Sequence, residues 1–150
     1  MAKGHMLRPE DIRVLQLEGM REIWVAELDE NEIHEDEAVC SVAAEMACGA
    51  YEVQLAPGGR ANLVANKTAC VLIDEDLLRQ MNCTSGLVIA TALNFSLATA
   101  GQRIATVKSA PFAVTRSDFE GSMNMLREKG PILQARPTHS AFAGYPPSAE

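Results

Sequence analysis

Gly101-Gln102-Arg103-Ile104-Ala105-Thr106-Val107-Lys108-Ser109-Ala110-Pro111-Phe112-Ala113-Val114 decides how this chain is read. Gly101 suits the positive φ of a tight turn. Ile104, Thr106 and Val107 favour a pleated strand. Pro111 has no N–H to give to a ladder, so regular pairing should stop there or continue along an edge. Lys108 closes the apolar strand, where a cation can meet an anion or shield an edge from mispairing.

Outward from this stretch, elements follow from periodicity and punctuation. Towards the C-terminus, Ser117-Asp118-Phe119-Glu120 has the spacing of a capping box. It opens a helix to about Lys129, which Gly130-Pro131 stops. Ile132 to Ala135 reads as a last strand, and 136–150 as a flexible tail or linker stub. Towards the N-terminus, Leu87 to Leu93 reads as a buried strand, and Asp74 caps a short helix that reaches about Met81, where Asn82 can stop it. Asn62–Ala65 and Ala69–Ile73 read as a hairpin around Asn66-Lys67-Thr68. Tyr51 to Leu55 alternates as a strand does. Asp36 to Cys48 carries apolar residues at helical spacing and many alanines, which allow close approach of another backbone. Pro9 to about Gly19 reads as a helix, with Glu10 and Asp11 at its positive end. Ile23 to Ala26 reads as a short strand.

Composition narrows the class. The 150 residues are 47% hydrophobic and 22% charged, with one Trp, two Tyr and four Phe. The core must therefore be built from aliphatic side chains and Met. A net charge of −7 argues against a nucleic-acid-binding surface over the whole protein, though not against a local basic pocket. No apolar run reaches the length of a membrane span, and no apolar leader precedes the first helix. A cytoplasmic protein is expected. Cys40, Cys48, Cys70 and Cys83 form no CxxC pair and read as buried free thiols.

The chemistry-bearing residues are few. Gly58-Gly59-Arg60 can form a backbone nest beside a guanidinium, suited to phosphate or carboxylate. Lys67 and Lys108 join Arg60 if the hairpin and the later strand lie side by side. Thr91 and Asn94 add hydrogen bonds at a strand end. Equally, Gly58-Gly59 can be a plain turn with the three cations simply exposed. The acidic residues 27–37 read as a solvated loop leading into a helix start rather than as a metal site, and His34 alone fixes no ligand geometry. His5, His34 and His139 build no Ser-His-Asp arrangement, and no phosphate or dinucleotide loop is present.

Two stretches carry a family resemblance. Lys3-Gly4 through Leu7-Arg8-Pro9-Glu10-Asp11-Ile12, with Glu18-Gly19 and Val25, is the first. Gly59-Arg60-Ala61-Asn62-Leu63 through Asp74, Leu78 and Asn82, then Ile89-Ala90-Thr91 and 101–114, is the second. In order and spacing, residues 3 to 135 resemble the amino-terminal region of bacterial molybdopterin-binding proteins related to molybdopterin molybdenumtransferase. The first stretch also resembles the opening of SAF-type domains. The resemblance implies a non-catalytic binding or scaffold module that supports molybdenum cofactor assembly or delivery, with molybdopterin as the cofactor it implies. The glycine-rich loops and acidic residues of that family's cofactor domain have no counterpart here, so its catalytic residues are not carried over.

The expectation is one α+β domain over 1–135, with a small mixed or mostly antiparallel, partly barrel-like sheet and three or four short helices. The candidate ligand-binding residues are Gly59, Arg60, Asn62, Lys67, Thr91 and Lys108, with no catalytic and no metal-binding residue assigned. The expected partners are a small anionic ligand or a cofactor-binding domain, and a second copy in a homo-oligomer. A free-standing small-anion binder or enzyme using Arg60 and Lys108 is an alternative. A dimerisation domain built on helix 36–48 and strand 87–93 is another.

Overall fold

The computed structural model describes residues 5–47, 49–84, 86–110 and 112–138. Readings that involve Cys48, Pro111, His139 and the tail beyond Thr138 lie outside the described residues. The chain is an α+β fold; among the described residues there are four helices and open antiparallel sheets, none of them closed into a barrel. The helices are α1 (Pro9–Leu17), α2 (Glu35–Ala47), α3 (Glu75–Thr84) and α4 (Arg116–Lys129).

The largest sheet orders its strands β2 (Tyr51–Ala56), β3 (Arg60–Ala65), β7 (Arg103–Ser109) and β5 (Leu87–Thr91). Its inner face carries Tyr51, Ala61, Leu63, Leu87, Ile89 and Val107, all buried. Against that face lies α2, with Ala38, Val39, Val42, Ala43, Met46 and Ala47 buried along one stripe. The i, i+4 spacing of 38, 42, 46 and 39, 43, 47 sets these side chains on one side of the helix. Behind α2 pack α4 and, at its edge, β9 (Leu133–Pro137). β9 pairs with β4 (Ala69–Ile73), which also pairs with β6 (Leu97–Ala98). The Tyr51 hydroxyl donates to the Gln134 carbonyl at 3.0 Å, tying the two sheets together.

The smallest sheet joins β1 (Glu32–His34) to β8 (Ala113–Thr115). Each strand runs straight into a helix. The first N–H of α2, on Glu35, donates to Phe112 O at 3.2 Å, and the first N–H of α4, on Arg116, donates to Asn31 O at 2.7 Å. Two of the orphan donors at helix starts are thus met by the residue just ahead of the strand that precedes the other helix.

Several expectations need correction. Asn62–Ala65 and Ala69–Ile73 are not a hairpin: β3 and β4 lie in different sheets. The hairpin is β2–β3, because Gly58 and Gly59 both hold positive φ, 77° and 62°, and close a tight turn between them. Ile23–Ala26 is not a strand, and Trp24 is fully exposed. Its residues have strand propensity, but no sheet edge is there to pair with them, and propensity alone does not hold a strand. The N-cap that opens α4 is Thr115, two residues earlier than expected, and it is a side-chain cap rather than a full box; Asp118 N donates to Thr115 Oγ1 at 3.2 Å and the Thr115 hydroxyl donates to Asp118 Oδ2 at 2.8 Å. β9 reaches Pro137, so Arg136 and Pro137 are sheet residues, opposite Cys70 and Ala69. Strand 87–93 ends at Thr91 and alternates, with Val88 exposed. Lys108 lies on an interior strand, between β3 and β5, so it shields no edge.

Other expectations hold. Gly101 has φ 81° and its N–H donates to Ala65 O at 2.8 Å, closing the turn into β7. Asp74 Oδ1 accepts from Leu77 N at 2.9 Å and caps α3. Asn82 does not end that helix. Instead its amide donates to Ile89 O at 3.0 Å and its Oδ1 accepts from Ile89 N at 2.7 Å. Asn94 treats Ile73 the same way, at 3.1 and 2.9 Å. Each asparagine satisfies both backbone groups of one strand residue, as a neighbouring strand would.

Replacing Asn82 with Ala should therefore cost about 1–3 kcal/mol, since it leaves two partly buried backbone groups unpaired. Leu63→Ala should cost about 2–5 kcal/mol, by loss of apolar contact and a residual cavity. Urea unfolding of both variants checks this, with Leu63→Ala expected to be the weaker fold.

Candidate functional site

The outer face of the four-stranded sheet is open to solvent. Cross-strand register sets Arg60 of β3 directly opposite Lys108 of β7, and Lys108 opposite Val88 of β5. The next outward row holds Gln54, Asn62, Thr106 and Ala90. Directly opposed side chains in an antiparallel pair have Cβ atoms about 5 Å apart, and like charges so placed repel. No carboxylate comes within salt-bridge distance of Arg60 or Lys108 among the described residues. Arg60 turns Nε and Nη2 towards the Pro57 carbonyl, at 3.2 and 3.1 Å. The Thr106 hydroxyl donates to Asn62 Oδ1 at 2.8 Å. That bond occupies Asn62 Oδ1, so the amide N–H groups are what Asn62 has to offer on this face.

The sequence candidates divide between two ends of this sheet. Arg60, Asn62 and Lys108 share one outer patch. Lys67 follows the far end of β3, beyond a strand whose five steps span about 17 Å, and it does not reach that patch. Thr91 pairs with Ala105 and alternates onto the face opposite Val88, so it does not join Lys108. Asn94 is taken up by Ile73. Thr106 was not singled out from sequence, because its place beside Asn62 depends on the β3–β7 register.

Gly59 has a different neighbour from the one expected. Glu35, the first residue of α2, is 5% exposed, and one of its carboxylate oxygens, Oε1, is buried with no hydrogen-bond donor among the described residues. A Cβ on Gly59 would come within 2.7 Å of the Glu35 Cδ. The glycine therefore makes room for a carboxylate of the protein itself. An external anion there would meet that negative charge, which argues against Gly58-Gly59 as an anion nest.

Glu35 also lines a cavity of about 1200 Å³ under the N-terminal arm. Met6, Ile12, Leu15, Met20, Ile23 and Phe112 supply apolar walls, and Glu27 and His34 add polar ones. The arm is held at its start by Asp11. The Arg8 N–H donates to Asp11 Oδ2 at 2.8 Å, and His5 Nε2 lies 2.9 Å from the same oxygen. The Arg8 hydrogen bond, helped by His5, lowers the Asp11 pKa from its ordinary value.

Cys40 is not an activated nucleophile. Burial, and then the nearby Asp36 carboxylate, raise the Cys40 pKa; the thiolate is the reactive form. Burial likewise raises Tyr51. Cys83 is exposed rather than a core thiol, and Cys40 and Cys70 are half-buried. No group of three or more His, Cys, Asp or Glu side chains is placed to hold a metal among the described residues. None of the described helices is long and apolar enough to cross a membrane.

Two outcomes are expected from these contacts. Gly59→Ala should be destabilised, because the new Cβ both strains a positive φ and displaces Glu35; thermal unfolding should show a lower Tm than for Gly58→Ala, whose Cβ meets open space. Asp11 has a depressed pKa in the folded state, so its contribution to α1 is present above the ordinary value of about 3.9 and is lost as pH falls through the folded value. The Arg8 amide resonance should follow that titration, and Asp11→Asn should abolish it.

No family model matches this chain, and no curated protein or solved structure matches it either.

Proposed function

We propose that this protein is a non-catalytic binding module for a small phosphate-bearing cofactor, molybdopterin by the resemblance of residues 3–135, and that it supports assembly or delivery of the molybdenum cofactor. The observation that supports this reading is the cross-strand pair Arg60 and Lys108. Two cations side by side without a carboxylate are electrostatically unfavourable in isolation. A phosphate relieves the repulsion, because it accepts charge-assisted hydrogen bonds from both. Asn62 offers amide donors beside them, and Val88 and Ala90 offer a low apolar surface for a flat ring. In a chain of net charge −7, a local cation pair concentrates an anion at one place rather than over the whole surface.

The same reading makes the protein cytoplasmic and gives it a second copy of itself or a cofactor-binding domain as its partner, not nucleic acid. The dimerisation alternative loses its main feature, because the alanine-rich stripe of α2 is buried inside the fold.

Calorimetric titration with molybdopterin tests this reading. Saturable binding is expected, weakening as salt is raised. Arg60→Ala and Lys108→Ala should each lower affinity about tenfold or more while the circular dichroism spectrum is kept, and Lys67→Ala should not change it. Binding of inorganic phosphate without preference for molybdopterin would favour the small-anion alternative. Wild-type affinity in both the Arg60 and Lys108 variants would refute the site.

A further inference from the structure

We infer that the cavity under the N-terminal arm is a second binding site, separate from the sheet face, and that it takes an organic ammonium: a protonated amine carried on an apolar body. Three observations carry this. The first is Glu35, which lines the cavity and whose buried Oε1 has no donor among the described residues. A buried acceptor left without a donor costs free energy that a ligand N–H can recover. The second is the cavity itself. At about 1200 Å³ it exceeds the usual volume of a small-molecule pocket, and its walls are mostly apolar. The third is charge. The lining contains Glu27 and Glu35 but no Lys or Arg, and Asp36 and Glu37 follow in sequence. The cavity therefore repels anions and attracts cations.

The groups cooperate in a simple way. Gly59 lets the Glu35 side chain lie flat against the β2–β3 turn, since any larger residue would push it away. Phe112 and Ile12, both in the lining, offer apolar surface to the ligand's apolar part. Burial of the ion pair between ammonium and carboxylate strengthens it relative to water, and the apolar body supplies about 25 cal/mol per Å² of surface removed from solvent. Trp24 is fully exposed and lines the cavity, so a bound ligand changes its surroundings.

Trp24 is the single tryptophan of the chain, so its emission reports on the arm. Hexylammonium chloride is the probe, with hexanoate and hexanol as controls of equal chain length. Hexylammonium should change the Trp24 emission saturably; hexanoate should not, and hexanol should bind at least tenfold more weakly. Glu35→Gln should weaken hexylammonium binding tenfold or more, with the fold checked by circular dichroism. Should Glu35→Gln not fold, Ile12→Ser and Ile23→Ser, both at exposed positions, decide the matter: each should weaken binding several-fold. Equal response to hexanoate, equal affinity in Glu35→Gln, or unchanged affinity in both serine variants would overturn the assignment. So would sedimentation showing a dimer that shields Trp24 without amine, since the cavity would then be an interface between copies. None of these results touches Arg60 or Lys108, so failure here leaves the sheet-face reading standing.

Discussion

The buried stripe of α2 lies against β2, β3 and β7 on one side and faces α4 on the other. Its small side chains, Ala38, Ala43 and Ala47, bring the helix backbone close to the sheet. With few aromatic residues available, such close packing is how this chain builds a dense core. Because the helix axis is fixed along its length, its first residue is fixed too. Glu35 is placed under the β2–β3 turn by the packing of residues three turns further on. The acidic side chain is carried into a buried position by the apolar ones.

That placement separates two kinds of chemistry on one sheet. On the outer face, alternation of β3 and β7 presents Arg60 beside Lys108 to solvent. On the other side of the Gly58-Gly59 turn, the same hairpin presses its glycine onto a carboxylate. A cation pair and a buried anion thus lie within a few residues of one turn, facing different environments. The register shift between Leu63 and Val64 adds to this. It lets Ile104 and Ala105 both be buried in succession, which a regular ladder would forbid. Without that irregularity Arg103 and Lys108, five residues apart, would lie on opposite faces; with it both are exposed on the same strand.

Much of the framework was legible because it is local. Helix stops at Gly130, the cap at Asp74, the turn at Gly101 and the alternation of 51–55 depend on residues near one another in sequence. Pairing is not local, and it was misread where two apolar segments flanked a plausible turn. Asn66-Lys67-Thr68 looks like a hairpin loop, but the two positive-φ glycines at 58 and 59 set the tighter one. The Arg60–Lys108 neighbourhood was conditional on a register the sequence does not state. Lys67 follows the other end of the same strand, so it could not be separated from them by composition. Glu35 was invisible for another reason: it belongs to a run of carboxylates, and only the approach of Gly59 from twenty-four residues away distinguishes it. The asparagines at 82 and 94 read as stops and polar decoration because a side chain that imitates a strand leaves no pattern in one dimension.

The short ladder of β1 and β8 has a consequence for how the chain reaches this state. Its residues are some eighty positions apart, yet the residue just ahead of each strand supplies the carbonyl that satisfies the first N–H of the other strand's helix. Closing so long a loop carries an entropic cost that local contacts do not offset. Neither helix can complete its first turn of hydrogen bonding until the two halves of the chain meet. The two helix starts are therefore coupled, and during synthesis the first N–H of α2 has no native acceptor until Phe112 has emerged. This two-stranded ladder is the latch that ties the two halves together.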